Sequence, residues 1–268
     1  MSDQIVSPLR RWWLFGLVVL ILAYLIVPIL VVIPASFSPS QLLEFPPREL
    51  SLRWYMNYLQ SDGWINSTRA SLQAGALTVV VSTILGVAGA YAINSLGRAL
   101  GRLAMAFVLL PLLVPHILIA IGLFYIYIRL RLVNSMLGIV LSHTLLAVPF
   151  VVITVLAGLQ SIDANLEKAA RSLGASRWSA FWRVTLPQIR PSVIAGGLFA
   201  FITSLDEVVV GLFVAGGANM VLTRRMFVSL RDNLDPTIAA LSTLFIVASV
   251  LALGIASLTA RKTPRSSA

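Results

Sequence analysis

The sequence predicts an all-α membrane protein of about six transmembrane helices, and three observations predict it. Of the 268 residues, 58% are hydrophobic and 11% charged, against roughly 45–50% and about 25% in soluble domains. The apolar residues come in blocks of about 20, the length at which a helix rising 1.5 Å per residue crosses a hydrocarbon layer of about 30 Å. The basic residues are scattered between those blocks and gather into no face or tail.

The first block, Trp12 to Ile33, is longer than the 7–15 residues of a signal-peptide core and no A-x-A site follows it, so it is expected to stay as an anchor. The next polar interval, Pro34 to Ser67, carries Pro39, Pro46 and Pro47 and the aromatic residues Trp54, Tyr55, Tyr58 and Trp64. It reads as an outer loop with a helix lying in the membrane interface, where aromatic rings prefer to sit. The remaining spans are expected at Thr68–Ile93, Leu103–Ile128, Ser135–Leu159, Ser192–Val214 and Pro236–Leu258. Pro111 and Pro115 break the third, either as plain bundle geometry or as kinks beside a pathway. Gly86 with Ala90, and Gly196 with Ala200, are small residues four apart. That spacing lets helix backbones approach closely in lipid, though small residues are also simply tolerated in apolar helices.

An even number of spans puts both termini on one side. Termini inside assigns Arg10, Arg11, Arg98, Arg102, Lys168, Arg171, Arg177, Arg183, Arg190, Arg261, Lys262 and Arg265 to the cytoplasm, twelve of the twenty Lys and Arg, which follows the positive-inside rule. Arg129 and Arg131 fall outside. The net charge of +10 lacks the clustering that nucleic-acid binding needs. With no cysteine, disulfides and thiolate metal sites are excluded. His116 and His143 stand alone in apolar helices and read as structural hydrogen-bonding groups rather than metal ligands. No Lys follows a Gly, so no G-x-x-x-x-G-K-[ST] loop exists to cradle a nucleotide, and H-E-x-x-H and G-x-S-x-G are absent too. Catalysis, metal binding and cofactor binding are therefore not expected of this chain.

The most informative polar interval is Gln160 to Pro191, QSIDANLEKAARSLGASRWSAFWRVTLPQIRP. It is built like two short helices. Asp163 can cap the first, and Leu166, Ala169, Ala170 and Leu173 fall at i, i+3, i+4 and i+7 as one narrow stripe. Gly174 can supply the left-handed turn that ends it, and Ser176 can cap the second. That helix is expected to put Trp178, Phe181 and Trp182 on one face, to leave Arg177, Arg183 and Lys168 free, and to stop at Leu186-Pro187. The membrane surface and a groove in a partner protein are both possible covers for the stripe.

This interval resembles the coupling motif of binding-protein-dependent ABC importer permeases: Glu-Ala-Ala, three residues, Gly, nine residues, Ile, one residue, Leu-Pro. Ala169, Ala170, Gly174, Leu186 and Pro187 fit; Val184 replaces the Ile, and Lys168 takes the Glu position with Glu167 just before it. Ala175 is counted with the same coupling loop. Nearly the whole chain is similar to permeases of the polyamine-importer type, through LLPLLVPHILIAIGL ending at Leu123, SMLGIVLSHTLLAVPFVV from Ser135 and SLDEVVVGLFVAGG from Ser204. The resemblance implies a type I importer bundle in the inner (plasma) membrane. It implies a coupling helix seated in a cytoplasmic ABC ATPase dimer that binds ATP and magnesium, a second permease chain, similar or identical, and a soluble substrate-binding protein outside. A polyamine is the first choice of solute, with other cationic amines, opines, amino acids and small solutes open. A gradient-driven carrier or channel is the rival class, but it has no evident use for such a loop.

Asp206 and Glu207 fall near the outer end of the fifth block, where a carboxylate is costly unless paired or wetted. They are candidates for the substrate pathway, or else an outer helix end paired with Arg129, Arg131 or Arg224. Only one of two adjacent helical residues need face a pathway, since they point about 100° apart. The charged segment Thr223 to Pro236 reads as an outer-mouth loop, either a landing place for a binding protein or merely solvated.

Overall fold

The computed structural model describes residues 12–41, 44–233 and 235–260, except the side chains of 164, 233 and 252–260. Arg10, Arg11, Arg261, Lys262 and Arg265, which weigh in the orientation argument, lie outside the described residues. Among those described, the regular elements are helical: α1 Trp12–Ala35, α2 Arg53–Gln60, α3 Asp62–Ser95, α4 Arg98–Leu113, α5 His116–Leu130, α6 Met136–Ser161, α7 Ala164–Ser172, α8 Arg177–Ala180, a π turn Phe181–Thr185, α9 Leu186–Asp206, α10 Val209–Val214, α11 Leu222–Asn233 and α12 Thr237–Ala260, with one short 3₁₀ turn at Gly217–Asn219.

Among the described residues, four helices are long and apolar enough to cross a membrane: α1, α3, α6 and the continuous Arg177–Asp206. The pair α4 and α5 makes a fifth if counted as one broken span. The sixth is expected at Pro236–Leu258, where α12 stands; its described apolar part, Thr237–Leu251, is shorter than the other spans.

The third span is broken, as its prolines lead one to expect: two helices meet at 93°. Pro115 causes the break: its ring forces the preceding residue out of helical conformation, and Val114 is extended at φ −85° and ψ 130°. Pro111 sits inside α4 without ending it. The fifth span, expected at Ser192–Val214, starts earlier and ends at Asp206, with Val209–Val214 forming a separate helix. Leu186-Pro187 does not stop the loop's second helix either. The chain runs helically from Arg177 to Asp206 because the π turn precedes the proline, with the Leu186 N–H bonded to the Phe181 carbonyl. The wider turn inserts one residue where the proline lacks an N–H and its ring would meet a carbonyl.

The chain divides into two compact units, Met1–Asp62 with Ser229–Ala268, and Gly63–Val228. In the first, α1 is exposed along nearly its whole length although almost every residue is apolar, which in water would be prohibitive and in lipid is ordinary. The helix α2 is the one expected in the outer segment, but Trp54 and Tyr58 are buried in protein rather than presented to headgroups. The Trp54 indole donates to the Ser38 carbonyl at 2.9 Å, Tyr55 and Ser36 share a hydrogen bond of 2.6 Å, and Asn57 donates to Thr237 Oγ1 at 2.8 Å.

The second unit is organised on α6, whose Ala147, Val151, Val152 and Val155 form a core with Ala90 of α3 and Ile189 and Ala200 of α9. A β-carbon on Gly86 would strike Val151, and one on Gly196 would lie 3.2 Å from the same side chain. The small pairs are therefore places of close helix approach. The segment Thr223 to Pro236, expected as a loop, is helical through Asn233.

Candidate functional site

Polar side chains of the second unit gather at each end of α9 and in one further cleft. The first of these places is the loop at 160–191. Asp163 accepts from the Asn165 N–H at 2.9 Å and so caps α7; Ser176 accepts from the Ser179 N–H at 3.2 Å and caps α8. Gly174 adopts φ +93° between them, a conformation that glycine enters without steric cost. The stripe on α7 is open to the surroundings: Leu166 and Ala169 are exposed and Leu173 is 90% exposed. Trp178 and Trp182 are exposed as well, whereas Phe181 turns inward.

Inside the loop the arrangement is polar and specific. Tyr91, near the end of α3, donates to Glu167 Oε1 at 2.6 Å, and Thr185, in the π turn, donates to Glu167 Oε2 at 2.6 Å. Arg177 is not free as expected: it donates to Ser95 Oγ at 3.1 Å and lies 5.6 Å from the Tyr91 ring centre. These side chains line a cleft of about 370 Å³ together with Asn94, Lys168 and Gln188. Sequence reasoning singled out Glu167, Lys168, Ala169, Ala170, Gly174, Ala175, Leu186 and Pro187 and missed Tyr91 and Thr185. The one visible signal was a tyrosine at the polar end of an apolar block, which the interface explains equally well.

At the other end of α9, Asp206 and Glu207 part company. Asp206 is exposed, while Glu207, just past the helix end, is only 6% exposed. Glu207 Oε1 accepts from the Val210 N–H at 2.8 Å, which satisfies an orphan donor at the start of α10. Oε2 lies 3.3 Å from His116 Nδ1. The expected arginine partners are not there: among the described residues Glu207 pairs with His116, on the first turn of α5. The two helix breaks, at Pro115 and at Glu207, thus meet at one carboxylate. Each oxygen of this buried carboxylate has a polar neighbour, as buried polar groups require. His143 behaves as expected, sharing a 2.7 Å hydrogen bond with Ser204 between α6 and α9.

A third polar feature, a cleft of about 490 Å³, lies at the end of α3 remote from Tyr91 and is lined by Asn66, Arg69, Gln73, Asn219 and Arg225. Arg225 lies 4.9 Å from the Trp64 ring centre.

Residues 82–263 match the model of the family described as binding-protein-dependent transport system inner membrane component. The chain belongs to this family. It is the permease subunit of an ABC importer, an inner-membrane component built of apolar helices. The putrescine transport system permease protein PotI of Escherichia coli (strain K12) is 31% identical over 244 residues, 88% of this chain and 86% of that protein. The spermidine/putrescine permease PotC of the same strain is 27% identical over 92% of this chain and 93% of its own length. Among solved structures, a bacterial ABC transporter that imports the acidic polysaccharide alginate matches with a TM-score of 0.71 over 95% of this chain and 97% of that one. At 16% identity the likeness carries the fold alone.

Proposed function

We propose that this permease admits a polyamine or a closely related cationic amine, and that Glu207 is the group in its path that meets the cation. One observation carries the proposal: a carboxylate 6% exposed has one oxygen committed to the backbone and the other shared with His116, whose side chain is 45% exposed. A protonated amine arriving beside the imidazole can take its place, so the carboxylate need never be left bare. The names of PotI and PotC, putrescine and spermidine/putrescine permeases, support a cationic amine over other small solutes.

In this reading six spans place both termini in the cytoplasm, and the whole chain serves as one permease domain beside a second permease chain. The loop at 160–191 seats its exposed stripe in an ABC ATPase dimer, where ATP and magnesium are bound and hydrolysed. The arginine-lined cleft at the opposite end of α3 would repel a free amine and suits an acidic lobe of a soluble binding protein instead.

The test is to purify the tagged chain from its native membranes with its associated subunits, reconstitute them in liposomes and add the binding protein. The expected result is co-purification of an ATP-binding subunit and a second permease, with radiolabelled putrescine uptake that requires ATP. Uptake that persists with the ATPase omitted would make the chain a gradient-driven carrier.

A further inference from the structure

Glu167 has no role in the function described so far. It is turned inward, away from the exposed stripe of α7. We infer that Glu167 latches the coupling loop to the end of α3, so that the two move as one piece. It is a positioning residue acting through Tyr91 and Thr185, not a contact for the ATPase. The inference rests on the reading of 160–191 as the coupling loop.

Three segments distant in sequence converge on this one carboxylate: α3 through Tyr91, α7 through Glu167 itself and the π turn through Thr185. Both bonds, at 2.6 Å, lie in the short range of hydroxyl-to-carboxylate hydrogen bonds, about twice as strong as neutral ones. Thr185 is the telling partner. Helical threonines commonly return their hydroxyl to the carbonyl four residues back, as Thr154 does to Phe150 and Thr243 to Ala239. Thr185 is buried in a stretch wound as a π turn, and its hydroxyl goes to α7 instead. A second fastening lies alongside, with Arg177 donating to Ser95 and Phe181 set edge-on to the Tyr91 ring at 4.9 Å.

The consequence is mechanical. A partner pressing on Leu173 and Trp178 meets a loop whose inner face is bonded to α3, a helix of 34 residues, about 50 Å long at 1.5 Å per residue. Without the latch the loop can still dock, but its displacement is taken up by sliding against α3, and ATP is spent without opening the path.

The chain contains no cysteine, so paired spin labels at Asn94→Cys and Ser172→Cys report the spacing of α3 and α7 cleanly. The complete complex with ATPase, second permease and binding protein is used in liposomes. The expected result is one spacing with and without ATP in the otherwise unaltered chain, and a broadened distribution in Glu167→Ala. Thr185→Val and Tyr91→Phe are each expected to lower the solute moved per ATP hydrolysed by about tenfold while the ATPase still co-purifies. Thr185→Ser restores coupling, and the double variant is no worse than Glu167→Ala. A spacing that shifts by about one helical turn, ~5 Å, on ATP binding in the unaltered chain overturns the latch. So does unchanged coupling in Thr185→Val, or a coupling defect that only follows lost ATPase. Failure of the unaltered chain to retain any ATPase overturns the loop reading, and the latch with it.

Discussion

The helix α9 has a carboxylate near each end, and the two are held in opposite ways. Near its start, Glu167 receives hydroxyl bonds on both oxygens from Tyr91 and Thr185, while Leu166, Leu173, Trp178 and Trp182 of the same loop face outward. At its finish, the apolar residues are packed inward, Val210 and Val214 among them, and Glu207 shares one oxygen with a half-exposed imidazole. The first carboxylate has two hydroxyl partners within the chain, and the second has a partner that, in the function proposed above, a cation replaces. Removal from water costs both groups similarly in kind, so burial does not distinguish their roles. What separates a fastening from a binding group is whether any of its partners can be exchanged.

The sharpest attack on this contrast is Glu207→Gln. The amide is close in shape and still accepts from the Val210 N–H, so the helix break should survive and the assembled complex should purify as before. The charge that a cationic solute needs is gone, and uptake of putrescine by reconstituted complex is expected to fall by about 100-fold. Near-normal uptake with intact assembly would reduce Glu207 to a structural group like Glu167.

The next effect is at the loop end. Gly174 lies at φ +93° with open space around the place where a β-carbon would sit. Substitution therefore costs backbone strain and nothing in packing, and a β-branched residue is the worst fit there. Gly174→Val is expected to insert normally but to weaken ATPase retention about tenfold, the equivalent of the ~1–2 kcal/mol of a left-handed conformation. Measured as ATPase recovered per permease, unchanged retention would show that the turn between α7 and α8 does not set the docking face.

Much of this was legible in the sequence because its cause is local. Apolar blocks reveal spans through length alone, and Asp163, Gly174 and Ser176 announce caps and a turn through their own chemistry. The errors arose where two local signals compete or where partners are remote. Pro115 and Pro187 carry the same ring, yet one breaks its helix at 93° and the other is carried through by a π turn; nothing in the spacing of either proline announces the difference. The pairs Glu167 with Tyr91 and Glu207 with His116 span 76 and 91 residues. Only the packing of α3, α5 and α9 creates them, and a reading of one chain without its folded contacts pairs Glu207 with arginines on charge alone.

The smallest expected effect is the most discriminating. Asp206→Asn removes the same unit of charge as Glu207→Gln from the adjacent position, but Asp206 is exposed where Glu207 is buried. Asp206 is the last residue of α9 and Glu207 follows in extended backbone, and a solvated carboxylate attracts a passing cation weakly because water and salt screen it. Uptake by Asp206→Asn is therefore expected to fall about twofold, with the loss shrinking as ionic strength rises, whereas the loss in Glu207→Gln should hold at high salt. Initial uptake rates for both variants at low and high salt decide the matter. Equal losses with equal salt dependence would mean that the cation meets both carboxylates in water, and the distinction drawn from burial and exchangeable partners would fail at this end of α9.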